Sequence, residues 1–122
     1  MLTDPLIRNA QEKRQLQRLS QWLEMRGYAL SEVRNLRQML PGTFAHRVQV
    51  VALQEEGVAV NVPIDTVIMP VSATVGSLPL LVEAKSAGDF TNTNKRRKEE
   101  ATKMRQLRNA FGEQVRFILL LG

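Results

Sequence analysis

Apolar residues fall at two different spacings along this chain, and the change from one to the other marks its elements. Leu16, Leu19 and Leu23 recur at helical intervals. Thr3 or Asp4 is placed to cap that helix, Pro5 suits its first turn, and Gly27 stops it. Ser31-Glu32 suggests the cap of a short second helix bearing Val33, Leu36 and Leu40, ended by Pro41-Gly42. From Phe44 the spacing changes to that of strands. Phe44, Val48, Val50 and Val51 predict a strand to Leu53, Glu55-Glu56-Gly57 a turn, and Val58 to Val62 the returning strand of a hairpin, which continues past Pro63 through Ile64 to Met69.

After a loop with Pro70, Ser72, Gly76 and Ser77, the run Leu80-Leu81-Val82 reads as an inner strand, bounded by Pro79 and by Ser86-Ala87-Gly88. Asn94 opens a helix to about Phe111, with Ala101, Met104, Leu107, Phe111 and the stem of Arg97 facing the sheet and Lys98 and Arg105 on the solvent side. The closing run Val115 to Leu121 is apolar enough for a strand covered on both faces. The order predicts one α/β domain over 1–122, with a helical lead-in over 1–40 and a sheet with a basic helix over 41–122.

Against this pattern, charge on the apolar strands stands out. Asp65 lies in Val62-Pro63-Ile64-Asp65-Thr66-Val67-Ile68, and Glu83 and Lys85 end Leu80-Leu81-Val82-Glu83-Ala84-Lys85. Side chains alternate along a strand, so Glu83 and Lys85 point the same way, roughly 6.6 Å apart. Two carboxylates converging from neighbouring strands repel unless a cation lies between them, and an oxygen-rich pair suits Mg²⁺ better than Zn²⁺. With a phosphodiester substrate such an ion binds a non-bridging oxygen and the attacking water, while Lys85 orients that water. A lone Glu-x-Lys is more often a solvated pair on an edge strand; the second acidic strand and the basic helix that follows weigh against that here.

The residues Asp65 and Glu83-Ala84-Lys85 after an apolar run resemble the core of the PD-(D/E)XK nuclease superfamily. The stretch Val82-Glu83-Ala84-Lys85-Ser86-Ala87-Gly88-Asp89-Phe90-Thr91-Asn92-Thr93-Asn94-Lys95-Arg96-Arg97-Lys98-Glu99-Glu100-Ala101 resembles the XamI-type group of Type II restriction endonucleases, with the likeness running from Pro41-Gly42-Thr43-Phe44 to the last residue. Pro63 precedes Asp65 by two residues instead of adjoining it. The resemblance implies a restriction-endonuclease-like core with a mixed central sheet flanked by helices, the last strand lying parallel beside that of Glu83. It implies a Mg²⁺-dependent DNA endonuclease, with Mn²⁺ as substitute, in which Asp65 and Glu83 are the metal ligands and Lys85 is catalytic. Such restriction enzymes are longer chains, so the resemblance also implies a catalytic core separated from a larger protein.

Charge adds a partner. Lys and Arg number 17 against 12 Asp and Glu, a net charge of +5, which fits a polyanion such as double-stranded DNA or simply a basic surface. Lys95, Arg96, Arg97 and Lys98 crowd a helix N-terminus, where the macrodipole disfavours cations unless a phosphate is bound there. Asn92, Asn94, Lys95, Arg96, Lys98 and Arg105 are therefore the candidate nucleic-acid contacts. A solvated helix with Glu99 and Glu100 pairing locally to Lys103 is the alternative, worth about 0.2–0.5 kcal/mol per pair.

Glu12, on the Leu16 side of the first helix, is a candidate extra acid or a surface glutamate; Asp89 suits a turn, and His46 a boundary position. Trp22 and Tyr28 are too isolated for a base-stacking platform. With no cysteine and one histidine, thiolate sites, disulfides and multi-histidine metal centres are excluded. The start of the chain lacks a signal-peptide pattern and no apolar run reaches the ~20 residues of a membrane span, so a soluble, cytoplasmic protein is expected. Two further functions fit the same residues: a structure-selective nuclease resembling Holliday junction resolvases, and a DNA-binding remnant without turnover. Paired cuts in a palindrome favour a two-fold homodimer.

Overall fold

The computed structural model describes residues 5–74, 76–85 and 93–121. Helix α1 (Pro5–Glu24) is followed by a two-residue strand β1 (Ala29–Leu30), a 3₁₀ turn (Leu36–Gln38), the hairpin strands β2 (Thr43–Leu53) and β3 (Ala59–Met69), β4 (Leu80–Lys85), α2 (Thr93–Phe111) and β5 (Arg116–Leu121). The strands form one sheet in the order β1-β2-β3-β4-β5. The pairs β2–β3 and β3–β4 are antiparallel, whereas β1–β2 and β4–β5 are parallel. This is the mixed sheet expected, with β5 beside β4 and a helix connecting them.

Gly27 ends α1 with φ +87°, a left-handed conformation that lets Tyr28 N–H reach back to Leu23 O at 3.0 Å. The caps expected at Thr3 and Asp4 lie outside the described residues. The region after Gly27 departs from expectation. Ser31 does not cap a helix; its hydroxyl accepts from Val33 N–H at 3.1 Å in a local turn, and Asn35 caps the 3₁₀ turn instead. The backbone of Ala29 and Ser31 is drawn onto the sheet by Gly42 O and Phe44 O, so tertiary pairing overrides local helix propensity.

The sheet carries a helix on each face. On one side Leu23 of α1 packs with Phe44, Ile68 and Val82. On the other, Leu107 of α2 packs with Ala45, Val67, Leu81 and Val115, and Met104 and Phe111 rest against them. Each fully buried side chain of this size contributes about 1.5–3 kcal/mol. Ala101, expected to face the sheet, is exposed. Its place on the inward stripe is taken by Lys103, one turn before Leu107. Ile118 of β5 is 44% exposed, so that strand is open on one side there, contrary to the two-sided cover its apolar run suggests.

Candidate metal centre

Strand β4 lies between β3 and β5, and Leu81, Val82, Glu83 and Ala84 are all buried. Glu83 is therefore not part of a solvated edge pair; it is 3% exposed. The β3–β4 ladder runs from Ile68↔Leu80 to Thr66↔Val82. One step further, Asp65 and Glu83 meet outside the regular ladder, and the Asp65 carboxylate inserts itself into the pairing: Oδ2 accepts the backbone N–H of Ala84 at 2.8 Å. Thr66 pairs across to Val82 while Asp65 pairs, by its side chain, to the residue after Glu83. The two acidic groups are thus brought together.

The same position interrupts the neighbouring ladder. Pairing between β2 and β3 holds at His46↔Thr66 and at Val48↔Ile64 but lapses between them, where Arg47 and Asp65 would stand opposite. Arg47 has φ +53°, the one positive φ outside glycine among the described residues. Such a conformation costs roughly 1–2 kcal/mol, and breaks of this kind re-aim side chains next to functional sites. Around it the burial alternation slips on both strands: Ala45 and Val48, and likewise Val67 and Ile64, share the α2-side core although each pair is three residues apart. The carbonyls of His46 and Arg47 are claimed by one guanidinium nitrogen of Arg34, at 2.5 and 2.7 Å. The kink is thereby held from outside the strands.

Burial is the largest cause that pushes the Glu83 carboxyl up, to about 8, and the Asp65 carboxyl beside it adds to the rise. Opposing both is Lys103, whose Nζ donates to Glu83 Oε1 and, at 3.1 Å, to Pro63 O. Lys103 does not serve as a surface partner only; it reaches from α2 to the carboxylate pair. Its place one turn from Leu107 on the inward stripe was the available signal in the sequence.

The other candidates divide. Lys85 closes β4 in register with Leu121, two residues beyond Glu83; the side chains of Lys85, Asn94, Lys95 and Arg96 lie outside the described residues, as do Asn92 and Asp89 altogether. Lys98 and Arg105 are exposed on α2, and Arg105 Nε pairs with Glu55 at 3.4 Å. Lys98 lines an open groove between α2 and β3 with Asn61, Pro63, Thr102 and Gln106. Glu12 is half-buried on α1. His46 belongs to the α1 side, where Nδ1 meets Thr66 Oγ1 at 2.8 Å and Nε2 meets Ser20 Oγ at 2.5 Å. Burial, with Arg47 and Arg34 nearby, lowers its pKa, as suits a neutral ring bridging helix and sheet.

No group of three or more His, Cys, Asp or Glu side chains gathers among the described residues. What does gather is a carboxylate pair, Glu83 buried and Asp65 half-buried, with one ammonium, at the interrupted end of a strand ladder in a mixed α/β sheet. The family model for XamI restriction endonuclease matches residues 1–122, and the chain belongs to that family. It is 50% identical over 123 residues to the Type II restriction enzyme SalI of Streptomyces albus G, an alignment that covers 98% of this chain and 38% of that relative. The chain thus spans well under half the length of the curated relative it matches. No solved structure matches. Among the described residues no helix is long and apolar enough to cross a membrane.

Proposed function

We propose that this chain is the catalytic core of a Mg²⁺-dependent DNA endonuclease of the PD-(D/E)XK type, hydrolysing phosphodiester bonds as restriction enzymes do, with Mn²⁺ as a working substitute. The observation that carries the reading is the convergence of Asp65 and Glu83 at a break in two ladders, with the Glu83 carboxyl pushed up to about 8 by burial and by Asp65. An acidic pair of this kind, with Glu83 buried and Asp65 half-buried, is short of positive charge, and its oxygen donors fit a hard divalent ion. Asp65 and Glu83 would hold the ion. Bound there, it would supply Lewis-acid stabilisation of the phosphate.

The chain's own groups do the remaining work. Lys85, two residues along β4 from Glu83, orients the attacking water toward phosphorus. The N-terminal part of α2, with Asn94, Lys95, Arg96 and Lys98, together with Asn92 ahead of it, binds backbone phosphates by charge and by its dipole. Asp65 fixes the end of β4 through Ala84 N–H, so that Glu83 does not move when the strand is loaded. Membership of a restriction endonuclease family supports DNA as the substrate, and a two-fold pair of chains accounts for cutting both strands of a palindrome.

A supercoiled plasmid incubated with and without Mg²⁺, beside Lys85→Ala, tests the reading. Nicked or linear product that needs Mg²⁺ and disappears in Lys85→Ala is expected. Salt-sensitive DNA binding without product in Mg²⁺ or Mn²⁺ overturns catalysis by this chain, and cleavage confined to four-way junctions overturns the restriction type.

A further inference from the structure

Lys103, a residue of α2, reaches the carboxylate pair. Its side chain is only 20% exposed, and its ammonium is divided between a carboxylate oxygen of Glu83 and the carbonyl of Pro63. A divalent ion held by Asp65 and Glu83 approaches the same carboxylate, and two cations brought onto one carboxylate repel each other strongly in so buried a place. Lys103 has somewhere to go. It also lines the open groove between α2 and β3, with Lys98, Glu99 and Thr102 along the helix and Asn61 across from them. A flexible four-carbon stem allows the ammonium to swing without moving the helix.

We infer that Lys103 is a displaceable counter-cation: it holds Glu83 while the metal is absent, and on ion loading it turns into the groove, where with Lys98 it receives a phosphate of the nucleic-acid strand. The inference rests on the cation site proposed above. Its consequence is coupling. Ion binding adds one positive charge to the groove, nucleic acid draws that charge away from Glu83, and each ligand strengthens the other by the same factor.

Calorimetric titration of Mn²⁺ into the DNA-free chain separates this from a structural role. Lys103→Gln, which keeps a donor for Pro63 O but loses the charge, is expected to bind Mn²⁺ on the order of tenfold more tightly than the wild type, within the usual range of coupling between sites. Lys103→Arg is expected to stay near the wild type. Unchanged or weaker Mn²⁺ affinity in a folded Lys103→Gln, with wild-type binding abolished by Glu83→Gln, overturns the role of Lys103 and leaves the cation site standing. No Mn²⁺ binding by either protein overturns both.

A second measurement needs no charge-removing variant at Lys103. In the chain labelled with ¹³C-lysine, the Lys103 Cε resonance, assigned through Lys103→Arg, is expected to shift on saturation with Mg²⁺ and to stay put in Glu83→Gln. A resonance indifferent to Mg²⁺ in the wild type overturns the displacement. For the groove, anisotropy of a labelled mixed-sequence duplex at constant ionic strength is expected to show tighter binding on adding Mg²⁺, by a larger factor in the wild type than in Lys103→Gln; equal factors overturn the link to phosphate.

Discussion

The Asp65 carboxylate takes the place of a backbone acceptor for Ala84, receiving its N–H at 2.8 Å through Oδ2. One side chain therefore ties two strands at the point where their ladder stops, and holds the neighbouring Glu83 in place. Structure and chemistry are separable here. Asp65→Ala strands a buried N–H and is expected to lower stability by about 1–3 kcal/mol. Asp65→Asn retains an acceptor and is expected to keep the urea midpoint near that of the wild type, while cleavage falls by roughly 10²-fold or more through loss of the charge of the proposed ligand. Equal stability of the two variants contradicts the structural half of this account.

How much of this arrangement the sequence displays depends on the range of the interaction. The apolar run before Glu83 and the apolar stretch around Asp65 make the strands and their acidic positions legible, because hydrophobic pattern is a local property. Lys103 is different. Its spacing from Leu107 sets it near the inward stripe, but its polarity suggests the surface, and the crossing of α2 over the sheet, which the sequence does not display, decides that it reaches Glu83. Arg34 and Arg47 are harder still, since a left-handed arginine at a lapse in pairing has no signature in composition. In the segment after Gly27, Ser31 and Glu32 have the chemistry of a helix cap, but backbone pairing to Gly42 and Phe44 decides the outcome.

The Glu83 carboxyl sets the sign of one pH dependence. Its value is about 8 in the folded chain against an ordinary 4.5, so between these pH values the folded protein keeps a proton that the unfolded chain has released. This contribution to stability is complete below the ordinary value and is lost as pH rises toward the folded one. Thermal melts across that window are expected to show the wild type losing stability relative to Glu83→Gln as pH rises. Parallel curves for the two proteins contradict a Glu83 carboxyl raised by burial.

Arg34 holds the carbonyls of His46 and Arg47 across from Asp65. Arg34→Ala removes both hydrogen bonds from an exposed side chain and is expected to cost about 1 kcal/mol. The accompanying change should be local, with faster amide hydrogen exchange around the break between β2 and β3 and little change in the hairpin turn. Faster exchange spread evenly over the sheet contradicts a local bracing role.

Lys98 and Arg105 lie on the same helix but in different company. Lys98 faces the groove that Lys103 also lines, whereas Arg105 pairs with Glu55. Lys98→Ala is expected to reduce the slope of log affinity against log salt for duplex DNA by ~1, and Arg105→Ala by less. Fluorescence anisotropy over a salt series measures both. A larger change for Arg105 places the strand on the far side of α2.

The proposed function rests on Asp65 and Glu83 together holding a divalent ion. Crystals grown with Mn²⁺ and measured for its anomalous scattering test it without reference to activity. An anomalous peak is expected between the two carboxylates, with Lys103 drawn off Glu83. Ordered Asp65 and Glu83 side chains with no peak between them, at Mn²⁺ concentrations that saturate calorimetric binding, contradict it.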